Sequence, residues 1–237
     1  AASRDILARG PDGGFAGRAV FPAECVTPLG TAASVDPAML TRLGHLGTAY
    51  GAFARGGFAP GQTVAVTGAT GILGVSTVLL ALAMGAGRVV AAGRRAETLD
   101  RLVALDPARV VAAGYDSIPA GVDLVVDAVG RVPGPEPTLA AIAALRWGGN
   151  AVLVGGVAGD LPLRYGALLG REIGVMGSVW FDRAAPAVIL GMIGSGHLDL
   201  SALRADSYPI EQANEAMAAA AASDRPDGFT HVAVVPD

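Results

Sequence analysis

The sequence predicts a doubly wound α/β fold on a parallel sheet, and three observations lead there. Short apolar runs alternate with helical runs over most of the 237 residues. The strand-like runs are continuously apolar, as in strands covered by helices on both faces. A Gly-rich turn joins the first of them to the helix that follows.

Residues 63–67 read as the first strand and 71–84 as the helix behind it. Residues 89–92 form the second strand, followed by a helix over 96–104. Strands over 109–112 and 123–127 follow, and the 114–122 link between them is too short for a crossover helix. A helix over 137–145 carries Pro137 in its first turn, where a missing N–H costs nothing. Strands over 151–154 and 173–177 and a helix over 184–195 complete the series. The flanks differ. Residues 17–21 read as a lone strand among Pro and Gly, 210–222 as a helix with an alanine face, and 230–235 as a closing strand. We therefore divide the chain into 1–30, 31–200 and 201–237, the two end pieces belonging to a second, smaller β-rich unit.

Composition narrows the classes of function. With 52% hydrophobic residues there is material for a large core. A net charge of −4 argues against a nucleic-acid binder. The richest apolar stretch, 78–86, is far shorter than a membrane span. No signal peptide opens the sequence, which reads as a soluble, cytoplasmic protein. Cys25 is the one cysteine, so neither an internal disulfide nor a multi-cysteine zinc site is possible. We read it as a small buried or half-buried side chain. All 17 basic residues are arginine, which excludes lysine chemistry from the chain, the Tyr-x-x-x-Lys dyad included.

The turn Thr67-Gly-Ala-Thr-Gly-Ile-Leu-Gly74 follows a strand and opens a helix, the context in which such a turn takes a pyrophosphate. Small residues let the backbone approach the phosphates. The helix start then offers unpaired N–H groups and a partial positive charge. Gly68, Ala69, Thr70, Gly71, Ile72 and Leu73 are the candidate contacts, and Gly74 lets helix and strand pack closely. Ala69 departs from the usual glycine. Cofactor choice is read at the tip of the second strand, where an acid holds a ribose 2′-OH. Here the residues are Gly93, Arg94 and Arg95, with no carboxylate before Glu97. Two guanidiniums beside a glycine suit a 2′-phosphate, hence NADP(H). Ala128, Val129 and Gly130 after the fourth strand, and Gly155, Gly156 and Val157 after the fifth, sit where the nicotinamide half would enter.

Residues 57–74 resemble the cofactor-domain entry of the medium-chain dehydrogenase/reductase superfamily. Leu46-Gly-Thr-Ala-Tyr50 is similar to the segment leading into it. Gly13-Gly-Phe-Ala-Gly17 with Val20-Phe-Pro-Ala23 resembles the end of that family's GroES-like substrate domain, and 228–236 its closing strand. Most of the substrate domain that such proteins carry has no counterpart here, and residues 1–30 match its tail only. The resemblance implies a zinc-independent, quinone-oxidoreductase-like enzyme. It would pass a hydride from NADPH to a quinone, enone or other carbonyl-conjugated small molecule. It implies a hydroxyl near the nicotinamide at Thr48, and capping or packing explains that residue equally well. It also implies a homodimer through the strand between Ile173 and Ser178, an edge too apolar to leave uncovered. Trp180 and Phe181 lie over the cofactor, at the dimer interface or in the core. His45 is read as a capping or packing residue rather than a metal ligand, His197 and His231 receive no role, and no residue is assigned as catalytic acid. The rival readings are an extended short-chain reductase, which lacks its lysine here, and a non-catalytic NADPH-binding scaffold.

Overall fold

The computed structural model describes residues 13–23, 26–30, 35–130, 132–222 and 227–235; Cys25 lies outside them. Two helices, α1 (Pro37–Leu40) and α2 (Leu43–Gly56), precede β1 (Thr63–Thr67). The α/β series continues with α3 (Ile72–Ala83), β2 (Arg88–Ala92), α4 (Ala96–Leu105), β3 (Val110–Ala113) and β4 (Val122–Asp127). It closes with α5 (Glu136–Ala144), β5 (Leu145–Leu153), α6 (Tyr165–Arg171), β6 (Gly174–Gly177) and α7 (Ala185–Gly194). The six strands form one parallel sheet in the order β3-β2-β1-β4-β5-β6. That is the doubly wound fold, with its switch point between β1 and β4.

Period-two alternation divides the strand residues between two cores. Val64, Val66, Leu124 and Val126 pack with Leu46 and Phe53 of α2, Leu80 of α3 and Ile189 of α7. Ala65, Val90, Val125 and Ala151 pack on the other face with Ala141 and Ile142 of α5. The register levels the strand ends. Ala113, Ala92, Thr67, Asp127, Leu153 and Gly177 are successive cross-strand partners, so the six turns that follow them share one rim.

The return segment builds a second sheet. β7 (Arg204–Pro209) and β8 (Thr230–Val235) pair in parallel, joined through α8 (Ala213–Ala221). Both strands lie on α1, and the buried His231 binds the Ala38 carbonyl through Nε2 at 3.0 Å.

Three expectations need correction. Residues 17–21 form no strand: Val20 and Phe21 are exposed and neither sheet includes the run, so its backbone has no ladder to join. The helix expected over 210–222 opens as a 3-10 turn, Ile210–Gln212, before α8 begins. The fifth strand starts at Leu145, straight from α5, rather than at residue 151. Gly148 and Gly149 and a register shift near its start hide it from a hydrophobicity scan. Among the described residues no helix is long and apolar enough to cross a membrane.

Candidate functional site

The turn between β1 and α3 is built by two close approaches. Gly68 is left-handed (φ 67°), and a side chain there would meet the Ala128 carbonyl oxygen at 2.6 Å. Gly74 lies on the same turn, where a Cβ would stand 2.5 Å from the Ala69 Cα. The departure at Ala69 is thereby explained. The left-handed bend falls one residue earlier, and the Ala69 methyl is fully buried while its N–H bonds the Ala92 carbonyl at 3.0 Å. Gly71 caps α3 in extended conformation and offers no side-chain acceptor to the first-turn N–H groups. Space is open at Gly71, where the nearest atom to an added Cβ is the Gly68 oxygen at 3.5 Å.

Two cavities flank this helix start. The larger, about 690 Å³, is lined among others by Gly71, Ile72, Arg94, Arg95, Gly130 and Asp227. The smaller, about 490 Å³, is lined by Thr48, Leu73, Leu153, Gly155, Ser178 and Trp180, among others. His45 lines both. In the larger cavity the Arg95 guanidinium donates to the Thr70 carbonyl at 3.1 Å, bringing it over the turn. Asp227, the acid on that wall, is engaged: it pairs with Arg101 and accepts the Phe229 N–H at 2.9 Å. In the smaller cavity the Thr48 hydroxyl donates to the Gly44 carbonyl at 2.8 Å, so it turns acceptor lone pairs toward the space.

The expected contacts do not all reach these cavities by side chain. Ala69, Gly93 and Val129 are buried, so only their backbone could meet a ligand. Thr70 is nearly buried and presents its carbonyl to Arg95. Ala128 donates its N–H to Thr67 at 3.1 Å. Gly130 and Gly156 meet in a parallel bridge that extends the β4–β5 pairing past the strand ends. Val157 faces a third, smaller cavity with Asp127 and Asp160. Asp127 is a brace. Its carboxylate accepts from Thr67 at 2.5 Å, Thr138 at 2.7 Å and the Val129 N–H at 3.3 Å.

Three neighbours escaped the sequence reading. Tyr115, two residues past β3, has its phenol near the Gly68 backbone; burial pushes its pKa up, and Arg94 works against that shift. The rule applied to the ends of the fourth and fifth strands, extended to the third, would have found it. Arg42 is fully buried and donates to the carbonyls of Ile72 (3.2 Å), Gly228 (2.7 Å) and Phe229 (3.0 Å). Burial lowers its pKa to about 10, which leaves it a cation at neutral pH. His231 is the third. It ties β8 to α1 beside the larger cavity, and burial holds its pKa below the usual range. Nothing in the local sequence marks these last two, because their partners lie some 30 to 193 residues away.

The sequence profile described as zinc-binding dehydrogenase matches residues 73–193. The chain belongs to the zinc-binding dehydrogenase family. Human sorbitol dehydrogenase is 32% identical over 172 residues, covering 68% of this chain and 47% of that protein. The chain thus spans about half the length of the curated relatives it matches. Two solved structures share the fold. A putative zinc-binding dehydrogenase from Sinorhizobium meliloti 1021, bound to NADP, superposes with a TM-score of 0.75 at 21% identity, over 95% of this chain and 66% of that one. A short chain alcohol dehydrogenase from E. coli CFT073, complexed with NADH, gives 0.76 at 19% identity, over 91% and 64%.

Among the described residues no group of three or more His, Cys, Asp or Glu is placed to hold an ion. These residues therefore do not fit zinc by themselves. A dinucleotide fits better: an uncapped helix start, open space at Gly71 and two guanidiniums share one cavity.

Proposed function

We propose that this chain is the cofactor-binding portion of an NADPH-dependent oxidoreductase that reduces a quinone, enone or other carbonyl-conjugated small molecule. One observation carries the cofactor choice. Arg94 and Arg95, at a strand tip without a carboxylate, line the same cavity as the helix start at Gly71 and Ile72. A dinucleotide lying with its diphosphate on α3 would bring its adenosine 2′-phosphate to that pair. NADPH, when bound, supplies the hydride.

The chain's own residues do the rest. The first turn of α3 holds the diphosphate by N–H donation. Arg94 and Arg95 form charge-assisted bonds to the extra phosphate, and Tyr115 limits that subsite from the side of β3. Leu73, Leu153 and Val154 wall the smaller cavity and exclude water from the reacting end. Thr48 offers acceptor lone pairs there, suited to an amide N–H of the nicotinamide. The zinc-independent branch belongs to this proposal: among the described residues the crevice offers His45 and His231 but no group of three metal-donating side chains. So does a homodimer through the strand between Ile173 and Ser178: β6 ends the sheet, and Val179 and Trp180 beyond it are 84% and 68% exposed.

Likeness to sorbitol dehydrogenase favours a second reading for the substrate, an alcohol or polyol oxidised in the reverse direction. Calorimetry with NADPH and NADH on the parent, Arg94→Ala and Arg95→Ala chains tests the cofactor. Each loss should weaken NADPH by about 1–3 kcal/mol and leave NADH nearly unchanged. Equal affinity of the parent for both cofactors would end the claim. Turnover with quinones and enones plus NADPH, against polyols plus NADP⁺, separates the two substrate readings, and binding without any turnover favours a scaffold.

A further inference from the structure

His45 stands where the two cavities meet, and the position gives it work. It lies on α2 one turn before Thr48, so both side chains leave the same helix face. It lines the larger cavity with Gly71 and Ile72 and the smaller one with Thr48 and Leu73. A dinucleotide passing from the diphosphate turn to the nicotinamide end must run past it.

The ring's protonation follows from its surroundings. Nδ1 is buried and has no hydrogen-bond partner, whereas Nε2 is not among the buried unpartnered atoms. A buried lone pair is tolerated better than a buried orphan N–H. The favoured neutral tautomer therefore leaves Nδ1 bare and carries its proton on Nε2, toward the cavities. A second proton would have to sit on the buried Nδ1, close to the Arg42 cation and to His231. Burial, Arg42 and His231 all act to lower the pKa, to about 4. The ring is thus a neutral donor across the physiological range.

We propose that His45 Nε2–H is a hydrogen-bond donor to an oxygen on the nicotinamide side of the bound dinucleotide, in the ribose–phosphate link between the two cavities. The inference rests on the cofactor reading above and adds a recognition residue to it. A neutral donor suits this place. It binds a phosphate or ribose oxygen without adding a third positive charge beside Arg42 and the helix start.

Titration calorimetry on the full chain tests it, using NADPH and 2′,5′-ADP, which has the 2′-phosphate but lacks the nicotinamide half. His45→Phe keeps the ring's bulk and removes the donor. His45→Gln keeps an N–H where Nε2 stands, and His45→Asn places one where Nδ1 stands. Phe and Asn should weaken NADPH by about tenfold or more, and Gln should stay within about threefold of the parent. Affinity for 2′,5′-ADP should be unchanged in all three. In the parent, the ¹⁵N spectrum should show the Nε2-protonated ring, with the Nε2 resonance moving on NADPH addition and still on 2′,5′-ADP addition. Equal NADPH affinity in the Phe variant and the parent would overturn the inference. So would equal losses for both ligands, or a Gln variant no better than Phe. If the parent binds neither ligand, the cofactor reading itself has failed, and this inference with it.

Discussion

Replacing Arg42 by Met should cost the fold about 3 kcal/mol and loosen the cofactor turn with it. The guanidinium is fully buried and donates to three backbone carbonyls, those of Ile72, Gly228 and Phe229. Charge-assisted bonds of this kind are worth about 1.5–3 kcal/mol each, or roughly 4–9 together. Burying the cation costs several kcal/mol against that sum. Asp227 recovers part of the cost, being the one charge that acts to raise the Arg42 pKa. Methionine fills most of the volume, so the cavity term is small. The variant's loss is dominated by carbonyl oxygens left without donors, at about 1–3 kcal/mol each where water cannot replace the guanidinium. A net of about 3 kcal/mol corresponds to a fall in Tm of roughly 6–12 °C for a chain of this size. Urea unfolding followed by circular dichroism reads it. Because the Ile72 carbonyl belongs to the first turn of α3, NADPH affinity should fall in the folded variant too. Arg42→Lys should recover only part of both losses, since one ammonium cannot span three carbonyls. A loss of stability below about 1 kcal/mol in Arg42→Met would show that the buried cation is not what ties the turn to β8.

Other consequences follow from the same geometry. Gly71→Val should fold with a stability change of no more than about 1 kcal/mol, because its backbone is extended and a Cβ meets open space. The same change should lower NADPH affinity at least tenfold in calorimetry by filling the approach to the diphosphate turn. Stability should also fall on acidification. The His45 pKa is depressed in the folded state, so between its ordinary 6.5 and about 4 the unfolded chain binds more protons than the folded one. Stability is therefore full above pH 6.5 and lost as pH falls toward 4, by on the order of 2 kcal/mol after allowing for partial exposure, with His231 adding in the same direction. Urea midpoints across that window should flatten in a His45→Gln, His231→Gln double variant. Finally, Val175→Lys on the edge strand β6 should shift the chain from dimer to monomer in light scattering. A parent that is already monomeric at micromolar concentration would remove the proposed interface.

The fold was readable because its signal is local. Most strands of the parallel sheet are short apolar runs, and several helix starts are punctuated by Gly or Pro, so β1 and β8 fall on the residues expected and the other expected core elements within a residue or two, β5 excepted. What failed was non-local or weakly patterned. β7, Arg204-Ala-Asp-Ser-Tyr-Pro209, is half exposed and gains its identity only by pairing with β8. α2 was read as a lead-in segment, since its glycines obscure the helical period. Those glycines have a tertiary purpose: at Gly47 an added Cβ would run into the Phe181 ring. The candidate site divides in the same way. The turn at 68–74 and the pair Arg94–Arg95 are written in consecutive residues. The supports at Arg42, Tyr115 and His231 exist only once the chain has closed on itself.

The electrostatics of the crevice also show why net charge says little about its ligand. The chain carries −4 overall, yet the cavity beside α3 holds Arg94, Arg95 and a helix start. Asp227, the one acid among the described residues that line it, spends its charge on Arg101 and the Phe229 N–H. Screening at physiological ionic strength limits the reach of the remote carboxylates to about 8 Å. A phosphate in the cavity therefore feels the local cations and not the distant surplus of acids. That division of labour also accounts for Asp227: Arg101, stacked 4.1 Å over the Phe229 ring, holds the carboxylate to its own loop. An acid released from that pair would face the same two arginines that the proposed 2′-phosphate requires. The Arg101–Asp227 pair therefore belongs with Arg94 and Arg95 in the proposed choice of cofactor.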